Sequence, residues 1–141
     1  MAHPDLNNLL NSLLPSAQNM LSKYAEFYPF GATLDSKGKI SSEAAYTGED
    51  KPLSQPLIEL MTAAFKQYAK ENKIIAAGMC MDVRTIPPGE SQKTDAILMG
   101  LEHVSGESID VYLPYKKEMS GKISYGNLFA SKRKSTFFIP R

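Results

Sequence analysis

Apolar residues recur at helical spacing near the start of the chain. The stripe consists of Leu6, Leu9, Leu10, Leu13 and Leu14, followed in the same phase by Ala17, Met20, Leu21 and Tyr24. The pattern predicts one helix from about Asp5 to Phe27, kinked near Pro15 because proline lacks a backbone donor and crowds the preceding turn. The alternative is two helices that meet at Leu14 and Pro15. Either way, the stripe has to be buried against a sheet or another subunit.

A hairpin and a second helix are predicted next. Strand-forming residues at 28–34 and 39–46 flank a polar turn at 35–38, which has Asp at its first position and Gly at its last, as tight turns prefer. Ser54 is a suitable N-cap for a helix that ends near Asn72. The apolar stripe of this helix consists of Leu57, Met61, Ala64, Phe65 and Tyr68.

The segment from Lys73 to Tyr115 predicts three consecutive strands, around which the rest of the chain is arranged. In the first strand the odd-numbered residues are predicted to face the core, and these are Ile75, Ala77, Met79, Met81 and Val83. A turn at 87–89 (Pro-Pro-Gly) leads into the second strand, from about Lys93 to His103. The third strand runs from about Glu107 to Tyr115.

The loop between the second and third strands determines which side chains share a face. A two-residue loop at Ser105 and Gly106 would place the apolar row of the second strand on the face of Asp110 and Tyr112. A three-residue loop with a left-handed Gly106 instead aligns two apolar rows. These rows are Ile97, Met99 and Leu101, and Ile109, Val111 and Leu113. We predict the three-residue loop.

This register predicts a second sheet face that is small in its middle and charged at its margins. Its members are Gly78, Cys80, Asp82 and Arg84, then Ala96, Leu98, Gly100 and Glu102, then Ser108, Asp110 and Tyr112. Glycine within a strand often marks close approach by a ligand or another backbone, so Gly78 and Gly100 predict a shallow groove. The residues assigned to this ligand or interface groove are Gly78, Cys80, Asp82, Arg84, Leu98, Gly100, Asp110 and Tyr112.

The acidic residues of the predicted groove are open to two interpretations. Asp82, Glu102 and Asp110 could hold a cation or transfer protons. Charges on a solvated sheet face more often serve solubility, and a pattern of carboxylates alone does not separate the two.

The lone cysteine and the two histidines favour no active site. Cys80 has no histidine near it in sequence, and a cysteine in an apolar strand is usually a core residue. His103 is predicted to form a cross-strand ion pair with Glu107 at the end of a hairpin, and His3 lies in a terminus predicted to be mobile. We therefore predict no catalytic residue, no metal site and no cofactor.

The C-terminal segment 116–141 is basic. Counted along the sequence, residues 1–115 carry 9 Lys/Arg and 14 Asp/Glu, whereas residues 116–141 carry 7 and one. The predicted basic patch consists of Lys116, Lys117, Lys122, Lys132, Arg133 and Lys134. A nucleic-acid partner is disfavoured because no recognised motif is present and the tail could pair with the acidic body. A helical turn is predicted at Tyr125–Ala130, and a final strand or docked tail at Ser135–Ile139.

Together these elements predict one α+β domain spanning 1–141, with a mostly antiparallel five-stranded sheet and helices on one face. The layout resembles that of profilin and of roadblock or longin domains; a cystatin-like or nuclear-transport-factor-like cone is the alternative. No secretory signal and no run of about 20 apolar residues is present, which predicts a cytoplasmic protein with no membrane contact. A single cysteine also fits a reducing compartment.

Three stretches resemble a family of small uncharacterised bacterial proteins. They are Phe27–Leu34 (FYPFGATL), Asp82–Gly89 (DVRTIPPG) with Lys93–Ile97 (KTDAI), and Tyr125–Ala130 (YGNLFA). The resemblance implies no activity and no site residues.

A well-patterned core without a catalytic constellation favours a non-enzymatic binding module. The predicted partner is another protein or a second copy of the chain, a homodimer for example, contacted through the groove or the first-helix stripe. One alternative is a small-molecule or enzymatic pocket with Asp82, Arg84, Asp110 and Tyr112 as its polar groups. Another is an immunity-type protein that neutralises a toxin, since an acidic body suits a basic partner.

Overall fold

The computed structural model describes residues 3–139, which form two helices and seven strands. The elements are α1 (Pro4–Tyr24), β1 (Phe30–Leu34), β2 (Ile40–Glu43), α2 (Ser54–Lys70), β3 (Ala76–Thr85), β4 (Thr94–His103), β5 (Ser108–Lys117), β6 (Ile123–Tyr125) and β7 (Phe129–Lys132). The strands form an antiparallel sheet in the order β2-β1-β3-β4-β5-β6, and β7 also pairs with β5. The predicted α+β class and antiparallel sheet are confirmed, with more strands than expected.

The first helix is continuous through Pro15, which confirms the prediction of one helix rather than two. It buries Leu6, Leu9, Leu13, Ala17 and Leu21 against the sheet. Pro15 lies on the exposed side of the helix, where the carbonyl left without its intrahelical partner can bond to water. The leucine stripe is therefore buried inside the molecule, and α1 ends at Tyr24, followed by the C-cap Ala25 with a φ of 63°.

Three predicted turns are confirmed by their backbone geometry. The carboxylate of Asp35 accepts hydrogen bonds from the backbone amides of Lys37 and Lys39, both at 2.9 Å. Gly89 and Gly106 have φ values of 80° and 101°, which glycine adopts without a side-chain clash. The left-handed Gly106 gives the predicted β4–β5 register, in which Met99 lies opposite Val111.

The two helices pack on opposite faces of the sheet, so the prediction that both lie on one face is wrong. In the β3–β4 pair, Cys80 lies opposite Met99 and Met79 lies opposite Gly100. The even-numbered residues of β3 therefore share the α1 face with the odd-numbered residues of β4. The sequence does not distinguish the faces because both rows of β3 are apolar and buried over residues 76–80.

Helix α2 covers the other face with Leu57, Met61 and Phe65. Its N-cap is Leu53 rather than the predicted Ser54, and no side chain caps the helix start. The ring of Phe65 approaches β1 so closely that a Cβ built on Gly31 would lie 2.8 Å from its Cζ. A glycine in this strand is thus required for the helix to pack.

The basic segment joins the sheet instead of forming a separate tail. β6 and β7 follow one another along the same edge of β5, and three residues (126–128) lie opposite two residues of β5. This one-residue bulge faces Pro114, whose missing N–H would otherwise leave a ladder position unpaired. The predicted helical turn at Tyr125–Ala130 is therefore wrong, whereas residues 135–139 dock as predicted and bury Phe137.

Candidate functional site

The predicted groove is divided between the two faces of the sheet. Gly78, Cys80, Asp82 and Arg84 lie on the α1 face or its margin, whereas Leu98, Gly100, Asp110 and Tyr112 lie on the opposite face. The structure therefore does not bring the eight residues together. The error follows from the β3–β4 register, because a shift of one residue moves every side chain of a strand to the other face.

Arg133 occupies the half of the predicted groove that lies on the α2 face. Its Nε lies 2.9 Å from Oε2 of Glu102, and its Nη1 lies 3.0 Å from Oδ1 of Asp110. Glu102 is fully buried, and the Arg133 side chain is only 14% exposed. A charge-assisted pair with this geometry compensates for the burial of both charges.

Glu102 also holds the chain that follows Arg133. Its carboxylate accepts the backbone N–H of Thr136 at 2.9 Å and that of Phe137 at 2.8 Å, and it accepts the Thr136 hydroxyl at 3.0 Å. We call Glu102, Asp110, Arg133 and Thr136 the tail anchor. The anchor fixes residues 133–138 on the sheet, because a buried carboxylate with this many donors loses all of them if the segment leaves.

Aromatic contacts complete the attachment of the C-terminal segment. The guanidinium carbon of Arg133 lies 5.2 Å from the ring centroid of Phe137, and the rings of Tyr112 and Phe129 stack with centroids 4.8 Å apart. The predicted basic patch is therefore not one surface. Arg133 points inward, while its other members, Lys116, Lys117, Lys122, Lys132 and Lys134, are exposed.

On the α1 face, Asp82 forms a short hydrogen bond with Tyr115. The phenol of Tyr115 donates to Oδ1 of Asp82 at 2.6 Å. Burial raises the pKa of Asp82 above its usual range, and the Tyr115 hydrogen bond opposes this shift. Burial and the neighbouring carboxylate together raise the pKa of Tyr115. The pair is a partly buried structural contact in which the phenol keeps its proton.

The remaining α1-face residues of the predicted groove lack a common site. Cys80 is fully buried among core residues, and burial followed by the charge of Asp82 raises the pKa of its thiol. A raised pKa disfavours the thiolate that nucleophilic catalysis needs. Arg84 is largely exposed and lies 4.0 Å from Asp95 at its nearest.

A cleft of about 680 Å³ lies at one end of the molecule. It lies between the end of α2, the β4–β5 turn and the segment after the tail anchor, and we call it the tail cleft. Its lining residues are Lys66, Ala69, Lys70, Asn72, Val104, Ser105, Gly106, Phe137, Phe138 and Ile139. Apolar side chains thus form much of a pocket whose size falls in the range of ligand sites, about 300–1,000 Å³.

Within residues 3–139, the charged side chains that line the tail cleft are both lysines. Lys66 and Lys70 lie one helical turn apart on α2, and the described lining contains no acidic residue. Val104 and Ile139 expose 57% and 55% of their surfaces. The cleft can therefore accept an apolar group whose neighbour carries negative charge.

A cluster of three side chains joins the start of α1 to the end of β4. Nε2 of His103 lies 2.9 Å from Oδ2 of Asp5, and Nδ1 of His3 lies 3.5 Å from the same oxygen. The two imidazole rings stack with centroids 3.9 Å apart. We call His3, Asp5 and His103 the histidine cluster; it has the composition of a metal site.

Sequence reasoning missed this cluster. His103 does pair with Glu107 through its backbone, at 2.8 Å, but its imidazole contacts Asp5, and the Glu107 carboxylate accepts the backbone N–H of His3. The predicted His103–Glu107 ion pair is therefore wrong. The available signal was Asp5 within the first helical turn, but nothing in the sequence places that turn beside β4.

Comparisons with protein-family models, with curated proteins and with solved structures find no similar protein. The resemblance to small bacterial proteins and the layout analogies therefore stay predictions. Neither α1 nor α2 combines the length and the apolar character that a bilayer span requires.

Proposed function

We propose that this chain is a non-enzymatic binding module that holds a protein partner in the tail cleft. The observation that carries the proposal is the cleft itself, an apolar surface bordered by Lys66 and Lys70 without an acidic lining residue. Interfaces concentrate their binding energy where a large apolar side chain enters a pocket. A segment of the partner that presents such a side chain beside a carboxylate would match the cleft.

The state of the other candidate groups supports a binding role over catalysis. Cys80 is buried with a raised thiol pKa, and the Tyr115 phenol is held by Asp82. Glu102 and Asp110 are both bound to Arg133. None of these groups faces the tail cleft, so a molecule in the cleft would meet lysines, a serine, an asparagine amide and apolar side chains.

Selection of peptides from a random display library tests the partner chemistry. The full chain should enrich peptides that contain an apolar residue next to an acidic one. Val104→Asp places a carboxylate on the cleft wall, and Lys66→Glu reverses one of its charges. Each variant should weaken binding of the selected peptides by at least about tenfold, since a repelling charge in an interface costs more than a kcal/mol.

Matched charge changes outside the cleft serve as controls. Lys51→Glu alters an exposed lysine in the connection before α2 and should leave peptide binding unchanged. The proposal would be contradicted if the selected peptides lacked acidic residues, or if they bound Val104→Asp as tightly as the original chain.

Self-association remains part of the proposal, but the contact surface differs from the predicted ones. Arg133 fills the half of the predicted groove that lies on the α2 face, and the α1 stripe is buried against the sheet. Leu53, the N-cap of α2, and Leu60 within α2 instead expose 75% and 47% of their surfaces. A dimer through these two leucines should be lost in Leu60→Glu, as measured by sedimentation velocity; a monomer at high concentration in the unaltered chain would exclude self-association.

Cytoplasmic localisation and the immunity-type alternative stay predictions. The alternative relied on an acidic body, and two carboxylates of that body are bound by the chain's own Arg133. The exposed acidic residues would have to supply the contact with a basic toxin.

A further inference from the structure

We propose that the histidine cluster binds a divalent transition metal ion of the zinc class. Two imidazole nitrogens and one carboxylate oxygen are a ligand set that zinc accepts in proteins, with a fourth position left for water or an outside ligand. One such atom from each of His3, Asp5 and His103 lies within 4.8 Å of the other two.

The distances suit tetrahedral coordination. Metal–ligand bonds of about 2.0–2.2 Å place neighbouring ligand atoms of a tetrahedron about 3.3–3.6 Å apart. Oδ2 of Asp5 lies 3.5 Å from Nδ1 of His3, within that range, and 2.9 Å from Nε2 of His103, somewhat below it. The nitrogens that the two histidines offer lie within 4.8 Å of each other, and the stacked rings have to turn before both can face one ion. The His3 side chain is 37% exposed, so it has room to rotate.

The surroundings of His103 can support a ligand role. Its Nδ1 lies 2.9 Å from the hydroxyl of Ser105, which can accept a hydrogen bond from a protonated Nδ1 while Nε2 faces the metal. A hydrogen bond of this kind fixes the orientation of a metal-binding imidazole. In the metal-free arrangement Nδ1 is instead an acceptor, for the Ser105 backbone N–H at 3.0 Å. Ser105 is exposed, so that N–H can bond to water once the metal is bound.

His3 must exchange one interaction for another. Its Nδ1 accepts the backbone N–H of Asp5 at 3.0 Å, which makes His3 the N-cap of α1. A metal on this nitrogen replaces that hydrogen bond and ties the start of α1 to the end of β4. The ion would thereby stabilise the native fold by mass action, since in the unfolded chain His103 is separated from Asp5 by 98 positions.

Calorimetric titration of the full chain, prepared without an affinity tag, with Zn²⁺ at pH 7.5 tests the site. We expect one bound ion per chain and a melting temperature that rises with Zn²⁺ concentration. Asp5→Asn, a nearly isosteric change at a partly exposed position, should lower the affinity at least about tenfold and remove the thermal shift. Asp50→Asn, at an exposed position in the loop before α2, is the matched control and should behave as the unaltered chain.

His103→Asn tests the buried ligand. This variant should also lose Zn²⁺ binding, and its melting temperature without metal shows whether the fold survives. Co²⁺ supplies a readout that does not depend on stability, because four-coordinate Co²⁺ has intense visible absorption that Asp5→Asn should abolish. Absence of Zn²⁺ binding, or binding that Asp5→Asn leaves unchanged, would overturn the proposal.

Discussion

The guanidinium of Arg133 lies directly over the backbone of Gly100. A Cβ built on Gly100 would lie 2.7 Å from Cζ of Arg133, so no side chain fits between the strand and the guanidinium. The glycine that predicts a groove in the sequence thus does receive a close neighbour, and the neighbour comes from the chain's own C-terminal segment. Arg133 and Gly100 together explain why the sheet face is small at this point.

Substitution of Gly100 by alanine should displace Arg133 from Glu102. The added methyl group has no room, and overpacking of this kind destabilises a fold by about 1–3 kcal/mol. Urea unfolding measures the loss. Gly126→Ala is the control, because a Cβ there would make an ordinary contact 3.4 Å from Pro114, and its effect should stay within about 0.5 kcal/mol. Equal stability of the two variants would show that the guanidinium moves aside at little cost.

Replacement of Glu102 by glutamine should release the C-terminal segment. The variant keeps the shape of the side chain, removes the charge that neutralises Arg133, and replaces one of the two oxygens that accept the 136–138 amides with an NH2 donor. Loss of one partner of a buried pair costs about 3–5 kcal/mol, and we expect the lower value because Asp110 still contacts Arg133. Hydrogen exchange should show faster exchange of the amides at 136–138.

The exposed pair of Arg84 and Asp95 provides the comparison for Glu102. Arg84→Gln should change the free energy of unfolding by less than about 1 kcal/mol, since exposed ion pairs contribute little. An effect as large as that of Glu102→Gln would mean that burial does not distinguish the two pairs.

The contribution of Asp82 to stability should fall as the pH rises. Because burial raises its pKa above the ordinary 3.8, the folded chain keeps the Asp82 proton at pH values where the unfolded chain has lost it. The contribution is therefore complete below pH 3.8 and decreases as the pH passes through the raised pKa. Asp82→Asn lacks this pH-dependent contribution of a titrating carboxyl group. Its stability relative to the original chain should therefore increase from pH 3 to pH 7, as measured by urea unfolding. A difference that is constant with pH would contradict the assignment.

The thiol of Cys80 should be unreactive in the folded chain. It is fully buried and its pKa is raised, so a thiol reagent reaches it only when the fold opens. Labelling with a disulfide reagent should be slower than in denaturant by a factor of about 1,000 or more. Fast labelling of the native protein would indicate an accessible, reactive thiol and would reopen a catalytic role.

Local signals in the sequence determined most of the elements. Helix α1 has a buried apolar residue at every third or fourth position, and the turns at Asp35 and Gly106 contain the residues that their backbone geometry requires. The β4–β5 register follows from a left-handed Gly106 together with the alignment of the apolar rows of the two strands. These features depend on neighbours within a few residues, which a sequence displays directly.

The remaining features depend on contacts between distant segments. Ala77 and Cys80 both suit a core, so alternation within β3 does not show which row meets α1. Arg133 lies 31 residues from Glu102, and His103 lies 98 residues from Asp5. Neither pair has a spacing that indicates contact, and their positions are known only once the sheet order is known.

The central claim is that the tail cleft binds an apolar group with a negative charge beside it, and an NMR titration tests it most directly. Decanoate added to the ¹⁵N-labelled chain should shift the backbone amides of 104–106 and 137–139, while a decyl chain with a cationic headgroup should not. Lys66→Glu should weaken the decanoate effect, and Lys51→Glu should not. Shifts confined to other parts of the chain, or equal shifts with both headgroups, would contradict the account.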